Sequence, residues 1–177
     1  YKGNLIKQYF QKCKFRKDIK INCIFTGKKT MTGGRIKKLD KYLDKTFIAT
    51  YGDGLSSVNI SKLVKFHKKK KKLVTVTAVR PPARFGAIKI TKDIVEYFRE
   101  KSSLDEGWIN GGFFVMEPKF IKFIKNQNTF LEQEPFKKIT EKKQLVAYKH
   151  YGFWQCMDTL RDKEILEKNI KNNKNLE

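Results

Sequence analysis

Phe47-Ile48-Ala49-Thr50-Tyr51-Gly52-Asp53-Gly54 decides how the rest of the chain is read. Five apolar or β-branched residues form a run too short for a helix, and Gly52 cuts it off. That is the pattern of a short strand buried on both faces, as in a parallel sheet. Downstream, Ile60, Leu63, Val64 and His67 follow helical i, i+3, i+4, i+7 spacing, with Asn59 as the N-cap. Leu73 to Val79 returns to a β-branched strand pattern. A strand, a helix and a second strand in that order make a crossover unit.

The same alternation extends both ways. Upstream, Leu5, Ile6, Tyr9 and Phe10 form a helical stripe, Lys20 to Phe25 reads as a strand, and Gly33-Gly34 opens a helix carrying Ile36, Leu39, Tyr42 and Leu43. Downstream, strands are expected at Ala87 to Ile90, Ile94 to Phe98, Gly112 to Met116 and Leu145 to Lys149. Helices are expected at Lys119 to Ile124, at Phe130 to Glu141 and after Asp158, where Thr159 and Asp162 have capping-box spacing. This predicts an α/β fold with a mixed, mostly parallel sheet flanked by helices. There is no internal repeat and no linker, and 177 residues suit one domain.

With 40% hydrophobic and 13% aromatic residues the chain has core-forming material, which excludes the disordered class. No apolar run is long enough to cross a bilayer, and a soluble cytoplasmic protein is the expectation. Cys13, Cys23 and Cys156 are scattered and expected to be reduced thiols. His67 and His150 give no zinc or hydrolase spacing. The net charge of +22 points toward anionic partners, yet lysine is spread over nearly every surface stretch. The one dense run, Lys68 to Lys72, ends a helix pattern, where lysines complement the negative helix terminus. A basic nucleic-acid-binding module therefore ranks below a charged but ordinary surface.

In open α/β sheets, ligands bind outside the carboxyl ends of strands. Asp53 sits at such an end between two glycines, where a hydrated Mg²⁺ and a phosphate can approach the backbone. Asp-Gly is equally a turn dipeptide, and both readings stand at this point. Asp158 precedes a helix, and reads either as a helix-start carboxylate or as a second metal ligand. The glycine pair in Thr30-Met31-Thr32-Gly33-Gly34-Arg35 opens a helix, leaving amides for a base or phosphate or forming a plain loop. Glu100-Lys101 and Asn110-Gly111-Gly112 have the polar character of a sugar-hydroxyl site.

Taken in order, the blocks T-M-T-G-G-R (30–35), T-Y-G-D-G (50–54), F-H-K (66–68), T-A-V-R-P-P-A-R-F-G-A (77–87), E-K (100–101), W-I-N-G-G-F-F-V (108–115) and G-F-W-Q-C-M-D-T-L-R-D-K (152–163) resemble the glucose-1-phosphate cytidylyltransferases, within the sugar-nucleotide pyrophosphorylases. The resemblance implies a Rossmann-like nucleotidyltransferase joining CTP and α-D-glucose 1-phosphate into CDP-glucose and pyrophosphate, for dideoxysugar and O-antigen lipopolysaccharide precursors. Carried over by position, Asp53 and Asp158 hold Mg²⁺ and are the catalytic pair. Thr30, Gly33, Gly34, Arg35 and Gly52 line the nucleotide, and Gly86, Glu100, Lys101 and Asn110 surround the sugar phosphate. No nucleic acid or membrane partner is implied, and a homo-oligomer is expected at full length.

Three departures accompany the resemblance. The family's N-terminal strand, its G-G-x-G-T-R-L phosphate loop and the K-P-K-P-M lysine have no counterpart, so the expectation is an N-terminally truncated domain over 1–177, inactive in isolation. Gln11 to Phe25 is shorter than the family's excursion there, and Ser102 stands where the family has proline after Glu-Lys. A non-catalytic homologue is the remaining alternative, against which both aspartates are retained.

Overall fold

The structure, a computed structural model, describes residues 2–13, 18–81, 87–99 and 107–171. Four strands form the central sheet: β1 (Phe47–Thr50), β3 (Val74–Val79), β6 (Ile109–Met116) and β7 (Leu145–Lys149), in the order β1-β6-β3-β7. β6 runs antiparallel to β1 and β3, while β3 and β7 are parallel. Three strands thus share one direction and β6 lies reversed between two of them. β1 and β3 are joined through α3 (Ile60–Lys70), the expected crossover. Asn59 caps α3 by accepting the Lys62 N–H at 2.8 Å, and the helix packs on β3, β6 and β7.

The core lies where β3 and β6 meet the segment after β6. Val74, Phe114, Met116, Phe120, Ile124, Leu131 and Ile139 are buried together. Leu131 precedes α4 (Glu134–Glu141), which carries Ile139, and Phe120 belongs to a 3₁₀ segment at Pro118–Phe123 where the sequence suggests a helix. Pro118 at its start suits a helical first turn. His67 is buried under this end of the sheet. Its Nδ1 pairs with the Thr75 hydroxyl at 2.8 Å and its Nε2 with Glu117 at 3.0 Å, so both ring nitrogens are satisfied.

Several expectations are corrected. β1 is an edge strand, not one buried on both faces: Phe47 and Ala49 are half-buried and Ile48 and Thr50 exposed. The strand covered on both faces is β3, which has a ladder on each side. Lys20 to Phe25 is irregular, because no described strand pairs with it, and Phe25 is 80% exposed. The stripe of α1 (Gly3–Lys12) forms as a helix but buries none of its residues. α2 (Thr32–Lys38) ends early, and Tyr42 falls in a 3₁₀ turn at Asp40–Tyr42.

Two small antiparallel pairs complete the fold. β4 (Ala87–Thr91) pairs with β5 (Ile94–Arg99), the two strands expected there. β2 (Gly54–Ser56) pairs with β8 (Trp154–Cys156), just before α5 (Leu160–Lys171). β2 follows β1 almost directly, so this ribbon sits at the carboxyl end of β1.

Candidate active site

Asp53 lies in the turn between β1 and β2. Gly54 is opposite Cys156 in the β2–β8 ribbon, and one step further the Asp53 carbonyl accepts the Met157 N–H at 2.8 Å. Asp158 is the next residue. Two aspartates 105 positions apart in the chain are thereby brought to adjacent places on one ribbon end, and both are exposed. The turn residue and the helix-start residue are real descriptions of each, and they are what places the pair.

Asp158 is held by its own helix start. Thr159 Oγ1 donates to Asp162 Oδ2 at 2.8 Å and accepts the Asp162 N–H at 3.2 Å. Asp162 Oδ2 also accepts the backbone N–H of Thr159 at 3.0 Å and of Asp158 at 3.3 Å. The capping box therefore spends Asp162, which is buried, and leaves the Asp158 carboxylate outside it. The Cys156 thiol donates to Asp158 Oδ2 at 3.2 Å. Two hard, exposed carboxylates fit Mg²⁺, which takes one or two carboxylates and completes its shell with water and substrate phosphate. Among the described residues no group of three or more His, Cys, Asp or Glu converges.

Asn110 stands beside this end. Its Oδ1 accepts the Gly112 N–H at 2.9 Å. Gly112 has φ +77°, and a Cβ there would lie 2.9 Å from the Tyr51 ring, so both backbone and space call for glycine. The Gly111 carbonyl accepts the Trp154 indole N–H at 2.8 Å, which fastens the ribbon to the start of β6. Gly52 is exposed in the same turn as Asp53.

The block from Thr30 to Arg35 is placed differently. Thr30 is buried and donates to the Thr26 carbonyl at 2.6 Å; Arg35 Nη1 donates to Thr26 Oγ1 at 2.6 Å and to the Gly27 carbonyl at 3.2 Å. Lys38 reinforces the same turn. Gly33 and Gly34 are buried under the loop preceding α4: a Cβ on Gly34 would come 2.3 Å from the Gln127 carbonyl oxygen. The Gly34 N–H goes to Thr129 O at 3.1 Å and the Met31 N–H to Gln127 O at 2.9 Å. These two amides serve packing. Gly86, Glu100 and Lys101 lie outside the described residues.

Glu132, which sequence reasoning missed, joins the two regions. Thr32 Oγ1 donates to Glu132 Oε2 at 2.9 Å, and the Tyr51 hydroxyl donates to Glu132 Oε1. No local pattern marks a glutamate 100 residues from one partner and 81 from the other. Burial, and then the Glu132 carboxylate beside it, push the Tyr51 hydroxyl pKa well above the ordinary tyrosine value.

A separate cleft of ≈ 600 Å³ opens at the opposite end of the sheet, lined by His67, Lys68, Lys71, Lys72, Glu117 and Lys119 among others. Among the described residues, none of those expected at the site borders it. The aspartate pair lies instead past the carboxyl end of β1, on the β2–β8 ribbon.

The pattern of the nucleotidyl transferase family matches residues 1–169. The chain belongs to that family. It is 40% identical over 189 residues to the glucose-1-phosphate cytidylyltransferase of Salmonella typhimurium, covering 94% of this chain and 74% of the relative. The Saccharomyces cerevisiae mannose-1-phosphate guanyltransferase is more distant, at 29% identity over 86% of this chain and 45% of the relative. The crystal structure of HddC from Yersinia pseudotuberculosis superposes with a TM-score of 0.68 over 94% of this chain and 73% of that one, at 18% identity, a likeness of fold. The α/β nucleotidyltransferase architecture expected from the sequence is thus the one present.

Proposed function

We propose that this nucleotidyl transferase family member joins CTP and α-D-glucose 1-phosphate to give CDP-glucose and pyrophosphate, with Mg²⁺ held by Asp53 and Asp158. The observation that supports the reading is the Met157 N–H bonded to the Asp53 carbonyl, which brings the backbones of Asp53 and Asp158 together where the β2–β8 ribbon leaves the carboxyl end of β1. The higher identity to a cytidylyltransferase than to a guanyltransferase supports CTP. The sugar phosphate is already an anionic nucleophile, so the site needs alignment and charge neutralisation more than a general base. Bound Mg²⁺ would supply that neutralisation at the phosphates. Asn110 would stand at the glucose side, and Thr30, Gly33, Gly34, Arg35 and Gly52 at the nucleotide side. The same reading gives a cytoplasmic homo-oligomer feeding dideoxysugar and O-antigen lipopolysaccharide precursors.

No glycine-rich phosphate loop of the family's type occurs in these 177 residues, so product binding is the direct test on this chain. Calorimetric titration with CDP-glucose, UDP-glucose and GDP-mannose, each with and without Mg²⁺, should show the tightest binding for CDP-glucose and a requirement for the metal. Equal affinity for all three, or indifference to Mg²⁺, would sink the assignment.

A further inference from the structure

We propose that Glu132 is a positioning residue that sets the nucleotide half of the site against the sugar and metal half. It rests on the cytidylyl-transfer reading for what the two halves hold. The observation behind it is a continuous, directional set of hydrogen bonds through three segments far apart in sequence. The Leu131 N–H donates to Thr32 Oγ1 at 2.9 Å, and that hydroxyl donates to Glu132 Oε2 at 2.9 Å. On the other side the Tyr51 hydroxyl donates to Glu132 Oε1.

Every member of this path has one consistent role. Tyr51 has a single hydroxyl proton, and it goes to Glu132. Thr32 receives Leu131 and has its proton left for Glu132. A carboxylate accepts both protons because both of its oxygens are acceptors only. A tyrosine phenol carries its proton at neutral pH, as this direction of donation requires.

Geometry explains why a tie is needed here. Thr32 opens α2, whose Gly33 and Gly34 lie against the 127–131 loop. Tyr51 begins the turn that carries Asp53, at the end of an edge strand paired on one side only. No described strand spans the two. Glu132 follows directly on the loop that packs α2 and reaches across to the turn.

Glutamine at position 132 offers one acceptor oxygen and one donor NH₂, so one of the two hydroxyls can no longer donate to it and must turn round or lose the link. The test compares Glu132→Gln with the parent chain in binding CDP-glucose, which occupies both halves, and CMP, which occupies one, both with Mg²⁺. The expected result is about a tenfold loss for CDP-glucose with CMP affinity within about twofold, at unchanged thermal midpoint. Tyr51→Phe should reproduce the loss, and the double variant should be no worse than either single one, since the two residues act as one unit. Equal losses for CMP and CDP-glucose, no loss for either, or additive losses in the double variant would overturn the proposal. A parent chain that binds neither ligand would instead overturn the cytidylyl-transfer reading, and this inference with it.

Discussion

Asp53 and Asp158 each have a local structural role as backbone positions and a proposed metal-binding role as side chains, and the two can be separated. The Asp53 carbonyl, not its carboxylate, holds Met157, and the Asp158 carboxylate lies outside the capping box. Asparagine keeps the backbone roles and removes the charge. Asp53→Asn and Asp158→Asn should each weaken Mg²⁺-dependent CDP-glucose binding by about tenfold or more, since Mg²⁺ loses half its carboxylate donors. Thermal midpoints should stay within a degree or two. Normal metal dependence in both would remove them from the metal site. Tyr51 gives a different prediction at the same scale. Its pKa is raised by burial and by Glu132, so the folded state holds a proton that the unfolded chain releases above about pH 10. Its contribution to stability is complete below that pH and falls as pH rises beyond it. Tyr51→Phe should flatten the alkaline limb of a denaturation-midpoint profile; an unchanged limb would assign that loss to other groups.

Elements were legible where they are local and opaque where they depend on neighbours. The α3 cap at Asn59, the capping box of α5 and the strand β7 follow from short patterns, and the structure contains all three. β1 was readable as a strand, but its edge position depends on where β6 inserts, which no spacing within residues 47–54 encodes. Lys20 to Phe25 has strand composition without a ladder to join, which is why composition misled there. The site divides the same way. Strand-end placement of Asp53 was legible, whereas its adjacency to Asp158 required the β2–β8 pairing, two three-residue strands with little pattern of their own. α5 is the element on which that adjacency leans. Thr159→Ala removes the hydroxyl that reciprocates with Asp162 and should cost about 1 kcal/mol. The cost should appear as faster amide exchange in the first turn of α5, together with weaker Mg²⁺ binding. Faster exchange without any change at the metal would mean that the ribbon alone fixes Asp158.

For the whole molecule the largest influence is charge. A net +22 on 177 residues must be confined within a radius of gyration of about 16 Å. At 10 mM salt the screening length is about 30 Å, so every lysine feels every other; at 150 mM it is about 8 Å and only neighbours interact. Against this stand exposed ion pairs such as Lys125–Glu134 at 2.8 Å and Lys163–Glu167 at 3.5 Å. Such pairs contribute about 0–1 kcal/mol each and also weaken with salt. Summed self-repulsion exceeds them, so the thermal midpoint should rise by a few degrees between 10 and 150 mM NaCl. A fall would mean that local pairs outweigh the global field. The same titration separates the enzyme from a nucleic-acid-binding module. A generally cationic surface adsorbs RNA at low salt and loses it steeply by 150 mM. A binding module adds bases stacked on exposed aromatics, which retains affinity. Tyr9, Phe25, Tyr42 and Tyr151 are exposed here, so affinity at physiological salt decides between the two. Purely electrostatic binding of single-stranded RNA should be no tighter than about 1 μM at 150 mM NaCl, and a Kd well below that would favour the module.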